Sequence, residues 1–341
     1  MKKNIILADC SPDEVQSFLE GLNSVSDIKF EIIYSISNWG RSGKLSNLSR
    51  YLKYFSFPFI VFKDIHKYGT ILGWQQFYTI NIAFYSRLFH IKKSNILGAL
   101  NFTYKRKSGF VGKLYYWYMK YSCNEYIDYY HVPSNLYADR VSKELGIKRN
   151  KFIVTCFGTP DVVSRHVNEV APISNYSLAI GRSNRDFDFL LDVWLEPSLA
   201  PYKLVIAADS WKPLKNLPKN VIHKTDITPE DSFKWIKCCN MNITPIADGN
   251  IASGDTVLLN GMMFAVPTVI TEPSTLAEMY IKNGVNGVCL PKDIKKASEI
   301  LSNLLSDKEE LRRLGEAARN NYEEHYTRYQ MAIQLGKEMN L

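Results

Sequence analysis

Residues 252–267 read ASGDTVLLNGMMFAVP, and the parsing of this stretch decides the fold. An apolar strand, NMNITPI from Asn240, runs into it. Small polar residues open it and an apolar run of helical character follows. Val266-Pro267 then stops it before a second apolar strand, TVIT. A helix N-terminus bared by Ser-Gly directly after a strand offers free backbone N–H groups and the positive end of its dipole to an anion. Ser253, Gly254 and Thr256 can present backbone N–H and hydroxyl groups to a diphosphate. Asp255 either accepts from ribose hydroxyls or caps the helix.

The same alternation extends in both directions. Upstream strand candidates are NIILAD, FEIIYS, FPFIVF, NILGAL, YIDYYHV and FIVTCF, with helical stretches at Pro12–Leu22, Trp74–Phe89 and Leu136–Leu145. A polar connector, Thr159–Asn175, precedes a second series: YSLAIG, KLVIAA, VIH, NITPI, PTVIT and GVCLP. Helices at Phe187–Trp194, Pro229–Lys237, Thr256–Phe264 and Thr275–Ile281 lie between these strands. Alternating β and α means parallel sheets covered on both faces. The fold class is α/β, with two Rossmann-like, doubly wound domains facing a cleft and ligands at the carboxyl ends of the strands. The expected boundaries are 1–160 for the first domain and 176–306 for the second. A helical tail, 307–341, packs back toward the first.

The 341 residues suffice for two domains, and 46 % hydrophobic against 22 % charged content argues against general disorder. Six cysteines at 10, 123, 156, 238, 239 and 289 form no C-x-x-C pair. They read as reduced thiols of a cytoplasmic protein. The opening MKKNIILADCSPDE reads as a first strand, not a signal peptide.

The net charge of +8 is unevenly spread. Residues 65–124 hold no Asp or Glu, but nine Lys or Arg and 15 aromatics. Such a mixture fits a peripheral surface on anionic lipid, or an aromatic core with a solvated basic rim. No nucleic-acid-binding motif accompanies it, so no nucleic-acid partner is expected.

Three further loops follow strands. Gly181-Arg182-Ser183-Asn184-Arg185-Asp186 sets two arginines behind a turn-forming glycine, where their forked donors match phosphate oxygens or Arg185 pairs with Asp186 or Asp188 on the surface. Thr275-x-x-Glu278 fits a capping box, or turns its helix N-terminus toward the donor's sugar or phosphate. His223-Lys224-Thr225-Asp226 is a plain loop or stands where backbone groups can hold a base. The lone His66, His90 and His131 read as packing or surface residues.

GRSNRD after YSLAIG, then LLNGMMFAVPTVIT, then STLAEMYIKNGVNGVCLP, resemble the nucleotide-binding domain of GT-B glycosyltransferases of the family 4 type. The likeness covers about Tyr176 to Asp293, with a looser match at Tyr129–Pro160. It implies a GT-B fold and a hexosyltransferase using a nucleoside-diphosphate sugar, UDP-sugar first. Anchored on Pro267, the family's E-x7-E signature falls on Ala252 and Asn260, so both glutamates are replaced. By the resemblance, Ser253, Gly254 and Thr256 hold the diphosphate opposite Arg182 or Arg185. Asn260 and Asp255 take over the hydrogen bonding of the lost carboxylates, and Gly181, Asp226, Thr275 and Glu278 complete the donor set. No Asp-x-Asp is read as a metal clamp, Asp186-Phe187-Asp188 opening a helix instead, so no metal and no cofactor beyond the nucleotide sugar is expected.

In the acceptor half, Trp74, Tyr104, Lys105 and Arg106 lie in expected strand-end loops, and Asp9 is the only acidic candidate for a catalytic base at such a position. A retaining route needs less, since the departing phosphate can take the proton. The basic aromatic stretch suits a polyprenyl-diphosphate-linked saccharide acceptor, in cell-surface polysaccharide synthesis on the inner face of the cell membrane. A GT-B-shaped sugar-nucleotide epimerase and an inactive GT-B module serving a partner transferase are the alternatives.

Overall fold

The computed structural model describes residues 2–35, 44–123, 125–251 and 253–340. Two compact units emerge: Met1–Pro160 with Arg328–Leu341, and Asp161–Thr327.

The first unit holds strands β1 (Lys3–Ala8), β2 (Phe30–Tyr34), β3 (Tyr68–Gly73), β4 (Ile96–Ala99), β5 (Tyr129–Val132) and β6 (Phe152–Val154). They lie in the order β2-β1-β3-β4-β5-β6, all parallel. Helices α1 (Pro12–Val25), α2 (Lys44–Lys63), α3 (Gln76–Leu88), α4 (Gly109–Cys123) and α5 (Asn135–Leu145) connect them. Ile5 and Leu7 enter one core cluster, and Ile6 and Ala8 enter another. With both faces covered, a strand reads as an unbroken apolar run.

One expected strand is helix. FPFIVF, read as β from its aromatic and β-branched content, lies inside the 20-residue α2. The burial pattern explains why: Tyr54, Pro58 and Val61 are buried and Phe57 is half-buried, a spacing of three and four. Tertiary packing against α3 overrides β-propensity here. The sheet takes its strand from the next segment, YGTILG, which forms β3.

The second unit holds β7 (Tyr176–Ile180), β8 (Lys203–Ala207), β9 (Val221–Lys224), β10 (Met241–Thr244), β11 (Thr268–Glu272) and β12 (Val288–Pro291). The order is β12-β11-β10-β7-β8-β9, again all parallel. Its helices are α6 (Phe187–Trp194), α7 (Pro229–Cys238), α8 (Asp255–Met263), α9 (Thr275–Tyr280), α10 (Ile294–Ser306) and α11 (Lys308–His325). Leu204 and Ile206 face one core, while Val205 and Ala207 face the other. Full burial of one such aliphatic side chain contributes roughly 1.5–3 kcal/mol. The chain leaves β7 toward β8 on one side and returns at β10 on the other. The crevice for a ligand therefore opens at the carboxyl ends of β7 and β10.

The expected tail divides. Its α11 belongs to the second unit, and the final helix α12 (Arg328–Glu338) belongs to the first, packed on α1.

Candidate functional site

Helix α8 is fixed at both ends. At its start, the Asn242 side chain on β10 donates to the Val257 carbonyl at 2.9 Å. Gly261 permits this approach, since a Cβ there would lie 2.7 Å from the Asn242 amide nitrogen. At its end, Arg319 on α11 donates to the Met263 carbonyl at 2.7 Å and to Asp161 at 2.6 Å. A cation at the carbonyl end complements the helix dipole. The N-terminus of α8 is thereby held over the crevice.

The loops after β7 and β10 are stitched together. Asn184, at φ 57°, donates to the carbonyls of Asp248 and Ile251 and accepts from the Asp248 N–H at 2.8 Å. The Ser183 and Ser253 hydroxyls meet at 3.1 Å. Arg185 runs between the loops, donating at 3.0 Å to the carbonyls of both Ser183 and Ser253. Two glycines make room for its guanidinium. Gly181 has φ 151° and a Cβ there would meet Arg185 Nε at 2.7 Å. Gly254 has φ 122° and a Cβ there would meet Arg185 Cζ at 2.8 Å. Burial pushes the Arg185 guanidinium down to about 10, against the opposing pull of Asp255, so it keeps its charge at neutral pH.

Beside this clasp lies a cavity of about 250 Å³. Gly181 and Arg182 after β7, Asp209 after β8, Thr225 after β9, and Thr256 and Asn260 on α8 are among its walls. The Arg182 guanidinium is exposed and pairs with Asp209 at 3.0 Å. Asn260 is 7 % exposed, and its side-chain amide forms no hydrogen bond among the described residues.

Several expectations need correction. Asp226 is not among the cavity's wall residues and pairs with Lys224 at 3.3 Å, whereas Lys224, Thr225 and Ile227 line the cavity. Asp255 is no cap: Gly254 occupies that position, and the Asp255 carboxylate accepts from the N–H of Thr256 at 3.0 Å. The capping box is displaced by one residue. Ser274 caps α9 and accepts from the Ala277 N–H, so Glu278 stands beyond the box position and is exposed. The Thr275 N–H and hydroxyl both donate to the Gly249 carbonyl, at 2.8 and 2.9 Å, which occupies them inside the protein. Ala252 lies outside the described residues.

In the first unit Trp74 is 8 % exposed, edge-on to Phe18 and beneath the Arg328 guanidinium at 4.5 Å. Tyr104 is 2 % exposed and stacked on Tyr115. Both are packing residues, not acceptor-facing ones. Lys105 and Arg106 are exposed, with Arg106 over the Tyr116 ring at 5.3 Å. Asp9 is half-buried at the carboxyl end of β1. His131 is buried and its imidazole is pushed down to about 4 by desolvation. It holds Asn101 and Thr155 and is a neutral structural group. Lys224 belongs to a stretch that the sequence singled out, whereas Ile227, Thr228 and Ser232, which also line the cavity, were not foreseen. Their position directly after the carboxyl end of β9 was the available signal.

Residues 215–321 match the family model described as Glycosyl transferases group 1. No curated protein matches the chain by sequence. Among solved structures, sucrose-phosphate synthase from Thermosynechococcus elongatus superimposes with a TM-score of 0.61 at 12 % identity, covering 100 % of this chain and 98 % of that one. Anabaena Alr3699/HepE in complex with UDP and glucose gives 0.57 at 12 % identity, covering 100 % of both chains. The lipopolysaccharide outer core galactosyltransferase WaaB gives 0.55 at 14 % identity, again covering 100 % of both. The chain therefore has the GT-B fold, and its second unit carries the group 1 glycosyl transferase match.

Among the described residues no helix is long and apolar enough to cross a membrane. No group of three or more His, Cys, Asp or Glu is placed to hold a metal ion among them either.

Proposed function

We propose that this chain is a glycosyltransferase that moves a hexose from a UDP-sugar to a lipid-linked saccharide at an anionic membrane surface. One observation carries the donor half of the reading: a cavity at the switch point of a parallel sheet, bordered by the N-terminus of α8 and a charged arginine clasped between two glycines. Thr225 and Ile227 would border the base, and Asn260 the ribose. The α8 N-terminus, Ser253, Gly254 and Thr256 would meet the diphosphate, and Arg182 would exchange Asp209 for phosphate oxygens. As the bond from the sugar's anomeric carbon to the diphosphate breaks, negative charge grows on the departing UDP. Arg182, Arg185 and the helix N-terminus are the groups that stabilise it.

The acceptor half rests on the basic, aromatic helices of the first unit and is the finer part of the proposal. A polyprenyl-diphosphate-linked oligosaccharide in cell-surface polysaccharide assembly, on the inner face of the cell membrane, has the matching chemistry. Asp9 is the proposed base if the route is inverting.

A second reading is an inactive nucleotide-binding module, favoured by Asn260 standing where the resembling family carries a carboxylate. Thermal shift against nucleoside diphosphates and their sugars tests both, since a binder at 100 times its Kd stabilises by about 2.7 kcal/mol. UDP-sugar turnover that persists in EDTA supports the transferase. UDP binding without any turnover supports the module, and no nucleotide binding overturns both.

A further inference from the structure

An open apolar groove of about 540 Å³ runs between α2, α3 and α4 in the first unit. Its rim exposes large apolar side chains: Tyr51 by 56 %, Phe55 by 48 %, Val111 by 71 %, Leu114 by 52 % and Trp117 by 56 %. Its floor is aromatic, with Tyr54 stacked on Phe77 at 5.2 Å. The polar side chains of Asn81 and Tyr118 in the wall are already used. Tyr118 donates to Asn81 at 2.9 Å, and the Asn81 amide donates to the carbonyls of Tyr54 and Phe77 at 2.6 and 2.9 Å. A peptide would bring backbone N–H and C=O groups that find few partners on such a wall. A hydrocarbon chain brings none.

A second cavity, of about 270 Å³, adjoins this groove through a shared residue, Lys107. Arg106 and Lys113 line it too, with the Ser108 residue between. None of the three cations has a carboxylate partner among the described residues; Arg106 and Lys107 instead lie over Tyr116 and Tyr115. No acid occurs between residues 65 and 124 to compete for them. An apolar groove joined at one lysine to a cationic pocket has the shape of an amphiphile with an anionic phosphate head.

We infer that this pair of cavities is a binding site for one long-chain lipid phosphate, its hydrocarbon chain in the groove and its phosphate against Arg106, Lys107 and Lys113. The inference rests on the lipid-linked acceptor proposed above and deepens it. At roughly 30 Å³ per water-sized group, the groove has room for a chain on the order of fifteen carbons. Such a site differs from general adhesion to a membrane, because it predicts saturable capture of a single molecule.

The test is isothermal titration of the full chain with farnesyl monophosphate below its micelle concentration. Farnesol and inorganic phosphate are the half-ligand arms, and UDP is titrated into the same samples. The expected result is one site per chain, at least tenfold weaker binding of farnesol, and no detectable binding of phosphate alone. Leu114→Glu and Lys107→Ala should each weaken farnesyl monophosphate at least tenfold. Both positions are surface-exposed, and circular dichroism confirms that each variant is folded. Equal binding of farnesol, or parent-like binding by both folded variants, overturns the inference. So does a parent chain that sediments as a dimer, becomes monomeric on Leu114→Glu and captures no lipid phosphate, which would make a second copy the occupant. UDP binding without lipid-phosphate binding removes the groove alone. Lipid-phosphate binding without UDP binding removes the transferase and leaves the groove standing.

Discussion

The two units share a parallel six-stranded plan but finish their surfaces oppositely. Around the second unit's cavity, cations meet protein partners: Arg182 has Asp209, Lys224 has Asp226, and Arg185 has two carbonyls. On α4 and the loop before it in the first unit, Lys105, Arg106, Lys107, Lys113 and Lys120 have no carboxylate among the described residues, and large apolar side chains stand exposed beside them. A site with its charges already placed suits a small, polyanionic ligand that must be oriented. An unpaired basic surface with exposed aromatics suits an extended anionic, apolar interface. The difference between the units is therefore one of ligand geometry, not of fold.

The sharpest way to break this contrast is Gly254→Ala. Gly254 sits at φ 122°, where an L side chain is strained, and a Cβ there displaces the Arg185 guanidinium. Backbone strain and the loss of the arginine's seat act together, so UDP affinity should fall on the order of 100-fold or more. Calorimetric titration measures it, and lipid-phosphate binding in the same variant should be unchanged. Parent-like UDP affinity would mean that the clasp does not shape the nucleotide site.

The mirror experiment is the Lys105/Arg106/Lys107→Ala variant in vesicle co-sedimentation. Each cation near an anionic surface contributes about 1 kcal/mol. Three removed should cost about 3 kcal/mol, or roughly 100-fold in partitioning at low salt. The loss should shrink as salt rises, because the screening length is about 8 Å at physiological ionic strength and shorter above it. UDP affinity should stay constant. Equal binding of parent and variant to anionic and neutral vesicles would reduce the stretch to a solvated rim.

Arg185→Ala comes next. It removes two charge-assisted hydrogen bonds and leaves the carbonyls of Ser183 and Ser253 without their donor. A bond of that kind is worth about 1.5–3 kcal/mol, so a loss of roughly ten- to 100-fold in UDP affinity is expected. Arg185→Lys should recover little, since a lysine stem and ammonium do not fill the space that the planar guanidinium takes against Gly181 and Gly254. Full recovery by lysine would show that charge alone matters there.

Much of this plan was legible in the sequence, for a definite reason. Strands buried on both faces are unbroken apolar runs, so β7 to β12 stand out between helices of ordinary length. FPFIVF misled because its composition suits a strand, while its burial follows helical spacing set by α3. The site was legible by loop but not by side chain. Arg182 and Arg185 look alike three residues apart. Only the glycines at 181 and 254, distant in sequence, decide which one turns inward. Trp74 and Tyr104 sat in expected strand-end loops, yet the rings of Phe18 and Tyr115 draw them into the packing. Thr225 and Ile227 line the cavity while Asp226 between them pairs with Lys224, a distinction that loop position alone does not encode.

The smallest expected effect separates the two arginines. Arg182 is exposed, with 70 % of its side chain open to solvent, and its bond to Asp209 is a surface pair. Such pairs contribute about 0–1 kcal/mol, so Asp209 gives up its partner readily. In binding UDP, Arg182 exchanges one carboxylate for phosphate oxygens, and the net gain is the difference between two similar contacts. Arg182→Ala should therefore weaken UDP less than tenfold, well below the effect of Arg185→Ala. It also leaves Asp209 unpaired on the cavity wall, where its charge opposes an incoming diphosphate. The double variant Arg182→Ala/Asp209→Asn removes that repulsion and should bind UDP more tightly than Arg182→Ala alone. Titration of UDP into the single and double variants, at low and moderate salt, measures the difference. If Arg182→Ala proves as damaging as Arg185→Ala, and Asp209→Asn restores nothing, Arg182 is a primary phosphate contact. The division between a fixed inner cation and an exchangeable outer one then fails.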